Sequence, residues 1–286
     1  MNPYPAFVSE IARRHAAAQA YPLGGFPAPP PPALPPNAPK ALIFAPHPDD
    51  ECVIGALPLR LLREARLRVI TVAVTQGSRK DRQPGRLAEL RAACQFLGFS
   101  VVQTAENGLE GVNPNTRAQH PASWAAAVDR VAQILREHQP KVIFFPHDAD
   151  RNTTHVGTHL LLVDALSRLG PDFDCFTVET EFWGAMDTPN LLVESREPDV
   201  ADLVSALTFH VGEVQRNPYH LRLPAWMMDN VRRGAELVGA QGGAAPEFLF
   251  ATLYRLRRWQ RGEFHNVLAA GRFLAAADDV AALFRD

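Results

Sequence analysis

The residues best suited to chemistry begin with a polar run directly after the apolar segment ALIFA. This run, PHPDDE at 46–51, places one imidazole and three carboxylates within five residues. Adjacent carboxylates resist burial unless cations or hydrogen-bond donors compensate, and a divalent metal is such a cation. His47 and Asp50 are three residues apart and can face the same way in a turn that opens a helix, leaving Asp49 near the metal but unligated. Metal-assisted hydrolysis needs this combination of ligands and a separate proton acceptor.

A plainer interpretation of the same run is a helix N-terminus that carries acidic residues, which favour the helix dipole. The preceding apolar strand and the Pro-His-Pro frame favour the functional interpretation.

A second polar run, residues 146–159, follows the apolar segment KVIFF. His155 and His159 are four residues apart, so on a helix they share a face. One of them would complete a three-ligand site with His47 and Asp50, and three protein ligands plus water is the pattern of catalytic zinc. His159 is equally compatible with a polar residue packed near the sheet.

The elements that must position these residues are short apolar strands alternating with amphipathic helices. This pattern predicts an α/β fold: a Rossmann-like, mostly parallel sheet with helices on both faces, in a single domain with additional C-terminal helices. Ligands in such sheets bind beyond the carboxyl ends of the strands, which is where both polar runs lie. The predicted strands are 40–45, 67–74, 100–105, 141–146 and 175–180, and the predicted helices are 53–65, 86–98, 123–138, 154–170, 199–211, 226–238 and 264–284.

The flanks of the chain differ from its centre. Residues 1–39 are predicted to form a short helix and a proline-rich arm, because nine of the 25 prolines lie within 22–39. The arm either binds a proline-recognising partner or, as we favour, lies along the protein's own surface. Residues 40–255 are predicted as the main domain, and 256–286 as a C-terminal helical tail.

Composition excludes several classes of protein. The 286 residues include 29 Lys and Arg and 31 Asp and Glu, a formal charge of -2, which argues against a general nucleic-acid binder. Three scattered cysteines indicate neither a disulfide framework nor a zinc ribbon. The sequence has no apolar run long enough to span a bilayer, and we expect a cytoplasmic protein.

The polar runs and one helix resemble a known family. PHPDDE after a strand, RLAELRAACQFLG at 86–98 and the loop ending in His155 resemble the PIG-L/LmbE-like family of zinc-dependent N-acetylglucosaminyl deacetylases. Weaker similarity is carried by ETEFW (179–183) and ALTFHVGEVQ (206–215). The resemblance spans roughly residues 40–250.

The resemblance implies one Zn²⁺ per chain, held by His47, Asp50 and His155, although another divalent metal is compatible. Asp49 would be the general base for the activated water, and Arg86 and Glu51 would contact substrate. The implied reaction removes an N-acetyl or N-acyl group from a small molecule or glycoconjugate that contains an amino sugar.

This chain departs from the family at Asn152, where the family usually has the first histidine of an H-x-x-H pair. An amide can donate a hydrogen bond but cannot deliver a proton. We therefore expect Asn152 or His210 to stabilise the oxyanion, while His159, His210 or Asp49 itself supplies the proton for the leaving amine.

Substrate recognition and the reaction class leave alternatives open. Trp183, Trp226 and Tyr219 are candidates to line a sugar site, although packing is the commoner role for each. The chain is also compatible with a zinc hydrolase acting on a phosphoester or a non-sugar amide. A third hypothesis is a sugar-binding protein of the same fold with impaired catalysis, which Asn152 favours and Asp49 opposes. Assembly into a homo-oligomer is compatible with the sequence.

Overall fold

The sheet that carries the site is described by a computed structural model covering residues 1–285. Apolar, β-branched and aromatic residues dominate its strands, as expected for strands buried on both faces. Nine strands lie within the described residues: β1 Lys40–Ala45, β2 Arg68–Ala73, β3 Ser100–Gln103, β4 Val142–Pro146, β5 Cys175–Thr180, β6 Leu191–Glu194, β7 Ala251–Gln260, β8 Glu263–Asn266 and β9 Arg272–Leu274.

The strand order is β3-β2-β1-β4-β5-β7-β6-β9, and β8 pairs with β7. The first five strands of this order run parallel, whereas β7 pairs antiparallel with both β5 and β6. The chain winds outward from β1 to β3 and then crosses back to β4 on the other side of β1. A crevice is expected at such a reversal, beyond the carboxyl ends of β1 and β4. The predicted mostly parallel sheet is therefore confirmed.

Ten α-helices lie within the described residues, several of them with proline at the first or second position, where it is preorganised for the first turn. Their bounds are α1 Tyr4–Ala18, α2 Asp50–Val53, α3 Leu57–Arg63, α4 Gln83–Leu97, α5 Pro114–Gln119, α6 Pro121–His138, α7 Thr153–Arg168, α8 Glu197–Leu207, α9 Val211–Arg216 and α10 Leu223–Leu237. Short 3₁₀ turns occupy Tyr219–Leu221 and Val280–Phe284.

Helices cover both faces of the sheet, as predicted. Alternate side chains of β1 point to opposite faces, so Ile43 joins one core cluster and Phe44 the other. The first cluster includes residues of α3, α4, α8 and α10, and the second includes residues of α6 and α7. These two layers hold the carboxyl ends of β1 and β4 in a fixed position.

Two predicted helices differ from the structure. The helix expected over 53–65 is interrupted at Gly55, whose φ is 85° and where a Cβ would lie 2.2 Å from Thr252 Oγ1. The prediction of a helical C-terminal tail is wrong, because residues 264–284 contain the end of β8, the strand β9 and a 3₁₀ turn. Arg60, fully buried, donates to the carbonyls of Ala275 and Asp278 and so fixes this tail in an extended course.

The N-terminal segment has two parts with different packing. Within the described chain α1 buries no side chain, whereas Leu23 and Leu34 of the proline-rich arm pack against the first core cluster. Phe26 also lies edge-on against Phe209. These contacts support an arm that lies along the protein's own surface. Among residues 1–285 we find no helix long and apolar enough to cross a membrane.

Candidate metal centre and catalytic site

The carboxyl ends of β1 and β4 bring His47, Asp50 and His155 together. His47 Nδ1 lies 3.4 Å from Asp50 Oδ2 and 3.2 Å from His155 Nε2, and His155 Nε2 lies 3.3 Å from Asp50 Oδ2. The Asp50 and His155 side chains are almost inaccessible to solvent, whereas His47 is 19% exposed. One open side therefore remains on an otherwise enclosed set of ligand atoms.

The spacing of these three atoms fits zinc. Ligands at about 2.0–2.1 Å from a tetrahedral ion are separated by roughly 3.3–3.4 Å along each tetrahedron edge. The three observed separations, 3.2 to 3.4 Å, match that edge. Two imidazoles and one carboxylate also form a donor set typical of catalytic zinc, with the fourth position left for water or substrate.

A tight turn after β1 sets the direction of the carboxylates. Asp49 has a φ of 118°, a conformation that L residues adopt rarely and at a cost of about 1–3 kcal/mol. Its backbone N–H donates to Glu51 Oε2 at 3.0 Å, and Asp50 Oδ2 accepts from the His47 N–H at 2.8 Å. These bonds hold a turn in which neighbouring aspartates point in different directions.

Asp49 lies beside the three ligand atoms and has its own partners. Its Oδ2 accepts a 2.6 Å hydrogen bond from the Tyr219 hydroxyl and lies 3.8 Å from Arg86 Nη2. Burial, together with the nearby charge of Asp50, raises the pKa of Asp49 to about 6. A carboxylate with a raised pKa, positioned by a neutral donor and a cation, has the properties of a general base.

A second carboxylate stands behind the His155 ring. Asp150 Oδ1 lies 3.6 Å from His155 Nδ1, and that nitrogen has no hydrogen-bond partner within residues 1–285. Asp150 is itself fixed, because its Oδ2 accepts from the backbone N–H groups of Trp183 and Gly184. A carboxylate behind a ligating histidine orients the ring and increases its basicity. Asp150 was not singled out from the sequence for this role.

Asn152 begins α7 and faces the site. Its Oδ1 accepts from the Thr154 N–H at 2.8 Å, which caps the helix, and the residue lines a polar cavity with His47 and Arg86. Because the oxygen is engaged in the cap, the amide nitrogen is the group left to donate. This position is compatible with the predicted hydrogen bond to an oxyanion, which stays a prediction.

Three further predicted site residues, Glu51 as a substrate contact and His159 and His210 as candidate catalytic groups, are buried and paired inside the protein. Glu51 is 1% exposed, and both its oxygens are engaged inside the protein, one by the Asp49 N–H and the other by His210 Nε2 at 2.7 Å. His210 is fully buried behind Asp49. His159 Nδ1 donates to the Pro146 carbonyl, and its ring packs on Phe145. These contacts favour positioning by Glu51 and His210 and packing by His159; the predicted substrate contact of Glu51 and the predicted catalytic roles of His159 and His210 stay predictions.

A second cluster of possible ligand atoms, Glu51, Cys52 and His210, is less suited to a metal. Burial raises the pKa of the Cys52 thiol well above its ordinary value, whereas metals bind the thiolate. The Glu51 carboxylate is already engaged by His210 Nε2 at 2.7 Å and by the Asp49 N–H. The geometry therefore favours the first cluster.

Two cavities meet at Asp49 and Asp50. The polar one is lined by Arg86, Ser78 and Glu213, together with Asn152. The other is mainly apolar and includes Trp226. Trp183 and Tyr219 line both, so the aromatic candidates from the sequence lie at the site.

With this geometry established, residues 42–166 match the family model for PIG-L, GlcNAc-PI de-N-acetylase. Residues 42–166 form a PIG-L family domain. The matched range contains His47, Asp49, Asp50 and His155, and it ends within α7. The comparison with curated proteins gives no match.

Solved structures of LmbE-like proteins share the fold. An N,N'-diacetylchitobiose deacetylase from Pyrococcus horikoshii is 20% identical with a TM-score of 0.55, covering 79% of this chain and 85% of its own. The zinc-inhibited form of teicoplanin deacetylase Orf2 is 13% identical with a TM-score of 0.55, covering 77% and 98%. GalB, a 4-carboxy-2-hydroxymuconate hydratase from Pseudomonas putida, is 16% identical with a TM-score of 0.54, covering 76% and 95%. At these identities the likeness establishes the fold, and activity must be argued from the site.

Proposed function

We propose that this protein is a metal-dependent deacylase that hydrolyses the N-acyl group of an amino-sugar compound, with Zn²⁺ as the metal. The observation that carries the proposal is the set His47, Asp50 and His155 at tetrahedral spacing, with the carboxylate of Asp49 beside it and held by other partners. The PIG-L domain and the deacetylases among the structural neighbours support deacetylase chemistry.

The metal would be held by His47 Nδ1, Asp50 Oδ2 and His155 Nε2. When bound, zinc supplies Lewis acidity, which polarises an amide carbonyl and makes water easier to deprotonate. Asp49 accepts the proton of the attacking water on its carboxylate. The Tyr219 hydroxyl fixes the orientation of that carboxylate through its 2.6 Å hydrogen bond.

Two side chains of the polar cavity assist the reaction, Asn152 at the substrate and Arg86 at Asp49. Asn152 donates to the oxygen on which negative charge develops, a contribution worth about 3–4 kcal/mol where such donors have been removed. Arg86 is already anchored by donating to the Pro48 carbonyl at 3.0 Å and contributes positive charge beside Asp49. This charge favours the ionised form of Asp49 before the reaction begins.

The leaving amine requires a proton, and Asp49 is the nearest group able to return one. His159 is held by the Pro146 carbonyl, and His210 is paired with Glu51. A single carboxylate therefore first accepts and then returns the proton, for which a raised pKa is favourable.

The test is release of free amine from a panel of N-acetylated amino sugars by the zinc-loaded protein. We expect release by the wild type and by Asp172→Asn, which changes an exposed acid away from the site, and a loss in Asp49→Asn. Absence of release from every member of the panel, with metal bound, would contradict the proposal and favour a sugar-binding protein with impaired catalysis.

A further inference from the structure

The apolar cavity beside Asp49 and Asp50 is too large for an acetyl group alone. Its volume is about 300 Å³. By the same measure a single water needs about 10–15 Å³, so the cavity has room for many more atoms than the two carbons of an acetyl group. An acetyl group adds one methyl beyond the reacting carbonyl and would leave most of this space unfilled.

The walls of this cavity are mainly apolar. Val53, Phe182, Leu223 and Trp226 supply carbon surface, and the Tyr219 hydroxyl is engaged with Asp49. The remaining polar lining comes from Asp49, Asp50, Asn217 and Arg222. A sugar ring needs hydrogen-bond partners for its hydroxyls, since unpaired polar groups are costly to bury. The cavity is therefore suited to an apolar group.

The polar cavity has the opposite character, and it adjoins the apolar one at the residues that line both: Asp49, Asp50, Trp183, Asn217 and Tyr219. It measures about 220 Å³ and is lined by Arg86, Glu213 and Arg216. Charged groups such as these can bind sugar hydroxyls directly. A substrate whose scissile amide lies at Asp49 would thus place a polar half in this cavity and an apolar half in the other.

We infer that the apolar cavity is an acyl-chain subsite and that the preferred substrates are amino sugars carrying an N-acyl chain of about four to eight carbons. This inference rests on the proposed function, because it takes the scissile bond to be an N-acyl amide. The amino sugar occupies the polar cavity, so the acyl group is the part of the molecule left to enter the apolar one.

Burial of the chain should improve binding more than the chemical step. Each methylene transferred from water to an apolar wall favours binding by roughly two- to fourfold. Because the chain lies away from the reacting atoms, this interaction is equal in the ground and transition states. It should therefore lower KM while leaving kcat nearly constant.

The first experiment measures kcat and KM of the zinc-loaded protein on N-acetyl-, N-butanoyl-, N-hexanoyl- and N-octanoylglucosamine by amine release. We expect kcat/KM to rise by at least tenfold from acetyl to hexanoyl, through KM. Release from the acetyl compound together with a lower kcat/KM for the longer chains would overturn the acyl subsite and leave the proposed function intact.

A second experiment measures binding alone, by quenching of tryptophan fluorescence in Asp49→Asn titrated with N-acetyl- and N-hexanoylglucosamine. We expect at least tenfold tighter binding of the hexanoyl compound. Equal or weaker binding would overturn the subsite. Tighter binding without turnover of any compound by the wild type would support the subsite and contradict the proposed function.

Two variants of α10 test whether the preference for longer acyl chains arises in the apolar cavity. Trp226→Ala should reduce the hexanoyl-to-acetyl ratio of kcat/KM by at least fivefold, because it removes a cavity wall. Met228→Ala, which changes a side chain 47% exposed on the same helix, should leave the ratio unchanged. An unchanged ratio in Trp226→Ala would contradict the assignment.

Discussion

At the scale of single residues, Asp49 combines three features that favour activity over stability. Its backbone φ is 118°, its side chain is largely buried at 16% exposure, and the next residue, Asp50, is another buried acid. Each feature opposes folding, and active sites commonly carry such costs. The Glu51–His210 pair compensates by holding the Asp49 N–H from behind.

Replacement of Asp49 by asparagine should separate catalysis from metal binding. Asparagine keeps the shape and tolerates a positive φ, but it cannot accept the proton from water. We expect kcat to fall by about 10²–10⁴ while zinc content stays at the wild-type level, measured by elemental analysis beside amine release. Turnover near the wild-type rate would remove Asp49 from the role of base.

Binding of zinc by His47, Asp50 and His155 should stabilise the folded protein. A metal that binds only the folded chain raises stability by about 2.7 kcal/mol at a free concentration of 100 times its Kd. We expect zinc to raise the melting temperature of the wild type, measured by differential scanning fluorimetry, and a chelator to reverse the increase. His155→Ala should show no such increase, and an increase equal to that of the wild type would place the metal elsewhere.

The residues that could be predicted from the sequence are those in the two polar runs that follow β1 and β4. His47, Asp49 and Asp50 share one turn, and His155 follows the next strand in the sheet. The partner of Asp49 was only a general candidate, because Tyr219 arrives from a 3₁₀ turn 170 residues along the chain. Glu51 was assigned to substrate for the same reason: its bond to His210 spans 159 residues.

At the scale of secondary structure, α7 both holds His155 and begins at the cap residue Asn152. Loss of an asparagine N-cap costs about 1 kcal/mol. We expect Asn152→Ala and Asn113→Ala, which uncaps α5, to lower the free energy of unfolding by similar amounts in urea. Only Asn152→Ala should also lower kcat, by about 10²-fold. Equal turnover in the two variants would exclude Asn152 from catalysis.

The contacts of Asp164 on α7 predict that the free energy of unfolding depends on pH. Burial alone would raise the pKa of Asp164, but hydrogen bonds from Arg117 and Trp124 outweigh it and lower the pKa. A lowered pKa stabilises the fold above the unfolded value of about 3.9, and this contribution disappears as pH falls through the folded value.

Asp164→Asn should therefore lose about 1–2 kcal/mol at pH 7, and the difference from wild type should shrink as pH falls below about 4. Urea unfolding at a series of pH values provides the measurement. The control is Asp129→Asn on α6, since Asp129 is 62% exposed and its pair with Arg168 should contribute little. A loss at pH 7 that persists unchanged at pH 3 would contradict the electrostatic explanation.

Strand and helix periodicity predicted the parallel half of the sheet, because strands such as β1 and β4 are continuous apolar runs. It did not predict the antiparallel half. The strand β7 reads RLRRWQ over its last six residues, and these arginines are accommodated by partners such as Glu179, Asp174 and Phe264. The tail was taken for a helix because its alanines favour one, whereas tertiary contacts to Arg60 decide its course.

At the scale of the whole molecule, the N-terminal helix contributes little to the fold. The α1 helix packs none of its residues into the described chain, and Tyr4, Phe7 and Ile11 are more than half exposed. Removal of residues 1–20 should therefore change the melting temperature by less than about 2 °C, since surface changes are within about 0.5 kcal/mol. A larger decrease, measured by calorimetry, would show that α1 contacts the body of the protein or a second copy.

The proposed activity depends on one metal ion held between the two polar runs. The most direct measurement is an anomalous difference map at the zinc edge from crystals of the zinc-loaded protein. We expect a single peak at about 2.0–2.2 Å from His47 Nδ1, Asp50 Oδ2 and His155 Nε2, with the Asp49 carboxylate outside bonding distance. A peak at Glu51, Cys52 and His210, or none at either cluster, would contradict the account.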